Sequence, residues 1–130
     1  VLVTAVQGDV PGAVMFRIDA EDLSVGHIGL PEHPLTDEQL EALSDVDVLL
    51  APVGGQKTYD AEAAMKAVNA VEPRVVIPIA FQSDNDPSYD KVEKFLKEMG
   101  ASNGGAEKKV IIKKKDLPQE ETRVAVLAKE

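Results

Sequence analysis

Two histidines and a carboxylate that lie close together in the sequence are the side chains best suited to chemistry. His27 and His33 are the only imidazoles in the chain, and Glu32 precedes the second of them. Imidazole nitrogens and carboxylate oxygens are the donors from which zinc and related metal sites are built. One interpretation is therefore a metal site made of His27, Glu32 and His33. The other, which we favour because prolines flank the loop and three ligands must converge, is an ordinary structural or solvated role.

Two aspartates and a glycine pair offer further chemistry. Asp45 and Asp47 flank Val46 and could act as a general acid and base, but such a pair needs a pocket that perturbs its ionisation. Solvated turn carboxylates are the favoured interpretation. Gly54-Gly55 lies between an apolar run and a helical pattern, where backbone amides could bind an anion. Because the Lys-Ser/Thr of a phosphate-binding loop is missing, a turn is favoured there.

The polar loop at residues 82–86 contains a hydroxyl, at Ser83, but no histidine near it in sequence that could activate a nucleophile. The residues alone therefore assign no catalytic, cofactor-binding or metal-binding side chain.

The first half of the chain predicts three strands and a helix. Residues 1–6 form one strand, and apolar residues alternate over 14–18, which is the period of a second strand. A turn at Glu21-Asp22 leads into a third strand at 23–28, making a hairpin. The capping box Thr36-Asp37-Glu38-Gln39 predicts a short helix from 37 to 43.

The second half alternates strands with helices. The apolar runs at 46–51 and 74–79 are typical of strands covered on both faces. Apolar spacing of three and four predicts a helix from Ala61 to Val71, with Asp60 as its N-cap. The remaining predicted elements are a helix from Pro87 to Gly100 and two closing strands, near 109–112 and 122–127. This order predicts a single α/β domain over residues 1–130, with one mixed sheet and helices on one face.

Composition excludes several classes of function. The 130 residues carry 14 Lys and Arg against 23 Asp and Glu, a net charge of −9, which argues against nucleic-acid binding. The basic cluster at residues 108–115 flanks a short apolar strand and is best interpreted as solvated strand ends. There is no cysteine, and no apolar run approaches the roughly 20 residues needed to span a bilayer. These features fit a cytoplasmic protein that does not bind membranes.

Two stretches, 26–40 (GHIGLPEHPLTDEQL) and 45–55 (DVDVLLAPVGG), resemble the C-terminal half of a metallo-β-lactamase-fold hydrolase. The likeness is to a small prokaryotic branch related to ascorbate-phosphate lactonases, whose first segment reads roughly G-H-L-G-D-L-G-H-x-L-T. The Asp of that segment bridges two metal ions, and Leu30 stands in its place. Similarly, residues 76–81 (VIPIAF) resemble V-I-P-M-H-Y, whose His is a metal ligand, and Ala80 replaces it. The family's H-x-H-x-D-H motif is absent from these 130 residues.

The resemblance implies half of an αββα sandwich from which the metal chemistry has been removed. It predicts no metal, no cofactor and no catalytic residue. A lone half would expose an apolar sheet face, so the resemblance also predicts a homodimer or a complementary N-terminal half chain as partner. The competing arrangement is a monomer whose hairpin folds over its own sheet. Two functions remain open: a non-catalytic structural or binding protein, and the C-terminal part of a metal-dependent hydrolase.

Overall fold

A six-stranded mixed sheet, with its strands arranged in chain order, forms the centre of the computed structural model, which describes residues 2–8, 14–29, 31, 33–55, 58–81, 89–99 and 122–127. The strands are β1 (Leu2–Gln7), β2 (Val14–Ala20), β3 (Leu23–His27), β4 (Val48–Pro52), β5 (Val75–Ile79) and β6 (Arg123–Val124). β1, β2 and β3 are antiparallel neighbours, and β3 to β6 run parallel. The predicted mixed α/β sheet is confirmed.

Within the described ranges the helices are α1 (Asp37–Ala42), α2 (Ala61–Val71) and α3 (Val92–Glu98). The capping box of α1 is present: the Gln39 amide donates to Thr36 Oγ1 at 3.1 Å, and the Thr36 amide donates to Gln39 Oε1 at 2.9 Å. Asp60 caps α2 as predicted, accepting from the Ala63 amide at 2.9 Å. Both helix starts were therefore encoded by residues within one turn of each other.

The start of α3 was predicted wrongly. The helix begins at Val92, with Lys91 as N-cap, and Tyr89 and Asp90 are not helical. The Asp90 amide donates to the Gly54 carbonyl at 2.7 Å, so a contact distant in sequence occupies this backbone before the helix begins. The predicted helix ends at Pro87 and Gly100, and the predicted strand at 109–112, lie outside the described residues.

The helices cover one face of the sheet, here called the helix face. Its buried side chains include Met15 from β2, Leu49 and Ala51 from β4 and Val76 from β5, which join helix residues such as Val68 in one core. The alternation of residues 14–18 was read correctly, but the side chain it buries is Met15, at 1% exposure. The helices pack on the face to which Met15 points. Met15 is therefore buried, whereas its neighbours Val14 and Phe16 point to the other face and are exposed.

The opposite face, here called the far face, is mostly apolar and is buried only in part; Gln7, His27 and Arg123 are its polar residues among the paired positions. Val48, Val75, Ile77 and Ala125 form a second buried cluster there, with Val25 and Leu50 partly buried against it. Towards β1 and β2 the far face is exposed, with Val3, Val14 and Phe16 accessible to solvent. The predicted apolar surface therefore exists, but its accessible part is confined to the β1–β2 end of the sheet.

The hairpin of β2 and β3 extends the sheet and does not cover it. β3 pairs with β4 in parallel, with Val25 opposite Val48 and His27 opposite Leu50. The competing arrangement, in which the hairpin folds over its own sheet, is therefore wrong. Arg17 fixes the hairpin to the end of α1 by donating to the carbonyls of Ala42, at 3.2 Å, and Ser44. A positive charge is favourable at the C-terminus of a helix, because the carbonyl groups there carry partial negative charge.

Among the described residues, no helix has both the length and the hydropathy to cross a bilayer.

Candidate functional site

The carboxyl ends of the parallel strands place His27, Gly54 and Ala80 at one end of the sheet. β3 ends at His27, β4 leads into Val53 and Gly54, and β5 ends one residue before Ala80. The Val53 amide donates to the Ile79 carbonyl at 3.1 Å, which continues the β4–β5 pairing to the carboxyl ends of these strands. In open parallel sheets ligands bind at the carboxyl ends of the strands. A functional site is therefore expected at this end of the sheet.

Gly54 and Ala80 lie against each other at this end of the sheet. A Cβ atom built on Gly54 would lie 2.0 Å from the Ala80 carbonyl oxygen and 2.9 Å from Tyr89 Cβ, so no side chain fits there. Ala80 itself has a φ of 52°, in the left-handed region that costs a non-glycine residue roughly 1–2 kcal/mol. Histidine and asparagine are enriched several-fold at such angles. The backbone shape at Ala80 therefore suits a histidine better than the alanine present.

The described contacts of the glycine pair favour a turn over an anion site. The Gly55 amide donates to the Tyr59 carbonyl at 2.8 Å, and the Gly54 carbonyl accepts from Asp90. A Cβ on Gly55 would lie 3.4 Å from Asp90 Oδ2, so a carboxylate borders the loop. Anion binding needs amides that are not already bonded, and the Gly55 amide is bonded to Tyr59. The turn interpretation agrees with these contacts.

The two histidines are not brought together as ligands. His27 Nδ1 accepts from the Gly29 amide at 3.0 Å, which leaves the proton of a neutral ring on Nε2. His33 is exposed, and its carbonyl accepts from Tyr59 Oη at 2.6 Å. Thr58 Oγ1 donates to the Pro31 carbonyl at 2.8 Å and fixes the same loop. Glu32 and Leu30 lie outside the described residues. The loop is therefore anchored by backbone carbonyls, in line with a structural role.

Asp45 and Asp47 lie at the amino ends of the parallel strands, and their two side chains have different environments. Asp45 is exposed, as predicted, with a φ of 62°. The prediction for Asp47 was wrong: it is 5% exposed, and its Oδ2 accepts from the Ser24 amide at 3.0 Å and from Ser24 Oγ at 3.3 Å. Its carbonyl accepts from the amides of Arg74 and Val75, at 2.9 Å each. Asp47 therefore joins β3, β4 and β5 and has a structural function. The polar loop at 82–86, including Ser83, is outside the described residues.

A cavity of about 390 Å³ lies between α2 and the loop before α1. Pro34, Leu35, Tyr59 and the small side chains of α2 line it, together with the charged residues Asp60, Glu62 and Lys66, and Lys66 pairs with Glu62 at 3.5 Å. Among the described residues no histidine lines this cavity. Asp60 already caps α2, and Glu62 and Lys66 pair with each other, so the charged groups that line it take part in contacts of the helix.

Comparison with known proteins places this geometry in a family. The family model described as "Beta-lactamase superfamily domain" matches residues 3–80, which is more than half of the chain and includes Gly54 and Ala80. The chain belongs to the β-lactamase superfamily. A metal-dependent hydrolase of the UPF0173 family from Nanoarchaeum equitans is 37% identical over 46 residues, 35% of this chain and 21% of that protein. A second, from Carboxydothermus hydrogenoformans, is 39% identical over 44 residues.

Solved structures share the fold over almost the whole chain. A protein from Thermotoga maritima, described as a Zn-dependent hydrolase of the metallo-β-lactamase superfamily, superposes with a TM-score of 0.76 and 25% identity, covering 96% of this chain and 64% of that one. A protein from Parabacteroides distasonis, described as a metal-dependent hydrolase, gives a TM-score of 0.60 at 17% identity, covering 97% of this chain and 51% of that one. The chain therefore spans less than two thirds of the length of these relatives.

The residues present do not fit the metal centre that the family implies. Ala80 has no donor atom, and His27 already uses Nδ1 within its own loop. In the part of the chain that the structure describes, no three His, Cys, Asp or Glu side chains come close enough to hold a metal ion. A metal centre needs three or four convergent donors, and the described residues do not supply them.

Proposed function

We propose that this chain is a metal-site-deficient member of the superfamily that has a structural or binding role through self-association and does not catalyse hydrolysis. The observation that carries the proposal is Ala80, which occupies the end of β5 in a backbone shape suited to histidine but supplies no ligand. Leu30 supports it from the sequence, because leucine cannot bridge metal ions. The absence of cysteine removes thiolate ligands as a substitute.

The self-association part of the proposal rests on exposed apolar surface. The accessible side chains at the β1–β2 end would cost free energy in water, at about 25 cal/mol for each Å² of apolar area that a partner could bury. The simplest partner for a surface of this kind is a second copy, related by a two-fold axis.

The proposal is tested by metal analysis and turnover assays on the purified chain. After incubation with zinc, manganese or iron and removal of free metal, we expect much less than one ion per chain. We also expect no hydrolysis of lactones, phosphodiesters or β-lactams above buffer, because only a bound metal lowers the pKa of water to near neutrality. Chelator-sensitive turnover that disappears in His27→Ala or His33→Ala would overturn the proposal. Glu21→Ala, an exposed turn residue, is the control variant.

A second candidate is the C-terminal part of a metal-dependent hydrolase whose N-terminal half is supplied separately. It is favoured by the relatives, which are described as metal-dependent hydrolases and extend well beyond the region this chain covers. The genomic reading frame upstream of Val1 distinguishes the two. An H-x-H-x-D-H segment encoded there, whose product restores metal binding when mixed with this chain, would favour the hydrolase.

A further inference from the structure

The exposed apolar side chains are grouped around one edge of the sheet and are not confined to one face. Among the described residues the large hydrophobic side chains with the greatest exposure are Leu2 (63%), Val3 (58%), Val14 (43%) and Phe16 (42%). The strand register places Leu2 on the helix face and Val3, Val14 and Phe16 on the far face. A layer packed on the far face would leave Leu2 exposed. A strand added beside β1 would flank both faces at once.

The residues of β1 itself lack the features that usually discourage pairing with another strand. β1 is the terminal strand of the sheet in the described part of the chain, and five of its six residues are exposed. Its sequence, L-V-T-A-V-Q, has no charge and no proline, in a chain of net charge −9. Natural edge strands avoid intermolecular pairing by means of lysines, prolines, bulges or short length. A six-residue neutral edge is therefore suited to accept another strand.

We propose that β1 pairs antiparallel with β1 of a second copy of this chain, about a two-fold axis at Thr4. This inference rests on the proposed function and specifies the surface through which self-association takes place. Strand addition at a sheet edge supplies main-chain hydrogen bonds, and the side chains on both faces supply the apolar contact. The pairing joins two six-stranded sheets into one continuous sheet.

The register follows from the alternation of faces. Side chains opposite each other must point to the same face, so only residues of the same parity can pair in a continuous antiparallel sheet. An axis at Thr4 sets Leu2 opposite Val6 and Val3 opposite Ala5, with Thr4 opposite its own copy. Apolar residues then face apolar residues, and two threonines face each other, a favourable cross-strand pair.

The neighbouring register, with its axis at Ala5, is worse for two reasons. It sets Val3 opposite Gln7 and Thr4 opposite Val6, which mixes polar with apolar side chains. It also requires Gln7, whose carbonyl already accepts from Gln39 Nε2 of α1 at 3.0 Å. The axis at Thr4 uses only residues 2–6 and leaves that bond intact.

The absence of cysteine gives a direct test by single-cysteine cross-linking of the full chain. Thr4→Cys places two thiols directly opposite each other, at a Cα separation of roughly 4.5–5.5 Å, within the range of a disulfide. Ala5→Cys is the matched control. In this register Ala5 lies opposite Val3 of the second copy, so the two Ala5 positions are offset by two residues, or about 7 Å along the strand. Phe16→Cys reports on contact between far faces. Melting curves by circular dichroism check that each variant folds.

We expect Thr4→Cys to form covalent dimer on mild oxidation at least tenfold faster than either other variant, and sedimentation to show dimer for the unmodified chain. Faster cross-linking of Ala5→Cys would overturn the register. Faster cross-linking of Phe16→Cys would overturn edge pairing while leaving self-association in place. A monomer at tens of micromolar with slow cross-linking of all three would overturn the pairing and the self-association together. Metal content and turnover test the non-catalytic part of the proposed function independently.

Discussion

Asp47 connects three strands at the amino end of the parallel sheet, and its removal should be costly. Asp47→Ala would leave the buried Ser24 amide without its carboxylate acceptor, which lies 3.0 Å away. Leaving a buried donor unsatisfied costs about 1–3 kcal/mol, and more when the lost partner is charged. We expect the free energy of unfolding to fall by about 2–3 kcal/mol, measured by urea denaturation.

Two further variants separate the hydrogen bonds from the charge. Asp47→Asn keeps an acceptor oxygen and should lose clearly less stability than Asp47→Ala. Asp45→Asn changes an exposed carboxylate to a residue that also tolerates positive φ, so stability should hardly change. Equal losses for Asp47→Ala and Asp45→Asn would contradict the role assigned to Asp47.

The difference between the two aspartates marks the limit of sequence reasoning at this scale. The Thr36–Gln39 capping box and the Asp60 cap were predictable because donor and acceptor lie three residues apart. The environment of Asp47 depends on Ser24, which is 23 residues away and reaches it only through the β3–β4 pairing. Ala80 is intermediate: its identity and family position are readable from the sequence, but its left-handed backbone is not.

The junction between β4, β5 and α3 is held by a close backbone approach at Gly54. Gly54→Ala would put a methyl group 2.0 Å from the Ala80 carbonyl oxygen, and backbone atoms cannot move aside as a flexible side chain can. We expect a loss of about 3 kcal/mol or more in the free energy of unfolding, at the upper end of overpacking effects. Thermal and urea denaturation of the variant would measure it.

Gly29→Ala is the matched comparison, because it tests backbone strain without a collision. Gly29 has a φ of 69°, but among the described residues a Cβ there would meet only the Val14 carbonyl, at 3.7 Å. The hydrogen bond from the backbone amide of residue 29 to His27 Nδ1 would remain. The expected cost is the left-handed strain alone, roughly 1–2 kcal/mol. If Gly29→Ala were as damaging as Gly54→Ala, the close approach at Gly54 would not be the cause.

At the scale of elements, periodicity predicted the type of every described helix and strand but not all of their ends. α2 agrees with its prediction because an N-cap and apolar spacing both lie within the helix. α3 starts five residues after Pro87 because Asp90 bonds to Gly54 across the molecule. Likewise, the 14–18 alternation could not reveal which face the helices cover, since either parity makes an equally regular strand.

At the scale of the whole molecule, the superfamily fold and its metal chemistry are separable. The sheet, the helix layer and the close approach at Gly54 depend on packing and backbone geometry, and none of them uses a metal ligand. An alanine at position 80 is therefore compatible with the scaffold. The apolar side chains around β1 take little part in this packing, since Leu2, Val3, Val14 and Phe16 are exposed among the described residues.

Net charge supplies a test of self-association that does not depend on any one contact. Two chains of charge −9 repel each other, whereas the edge proposed to join them is neutral. Salt shortens the Debye length from about 30 Å at 0.01 M to about 8 Å at 0.15 M, so it should weaken the repulsion without weakening the apolar contact. We expect the dimer dissociation constant to fall several-fold over this range in sedimentation equilibrium. Thr4→Lys, which would place two ammonium groups opposite each other at the axis, should remain monomeric at low salt. A dissociation constant that rises with salt would show that ion pairs hold the dimer, and the neutral edge would not be its interface.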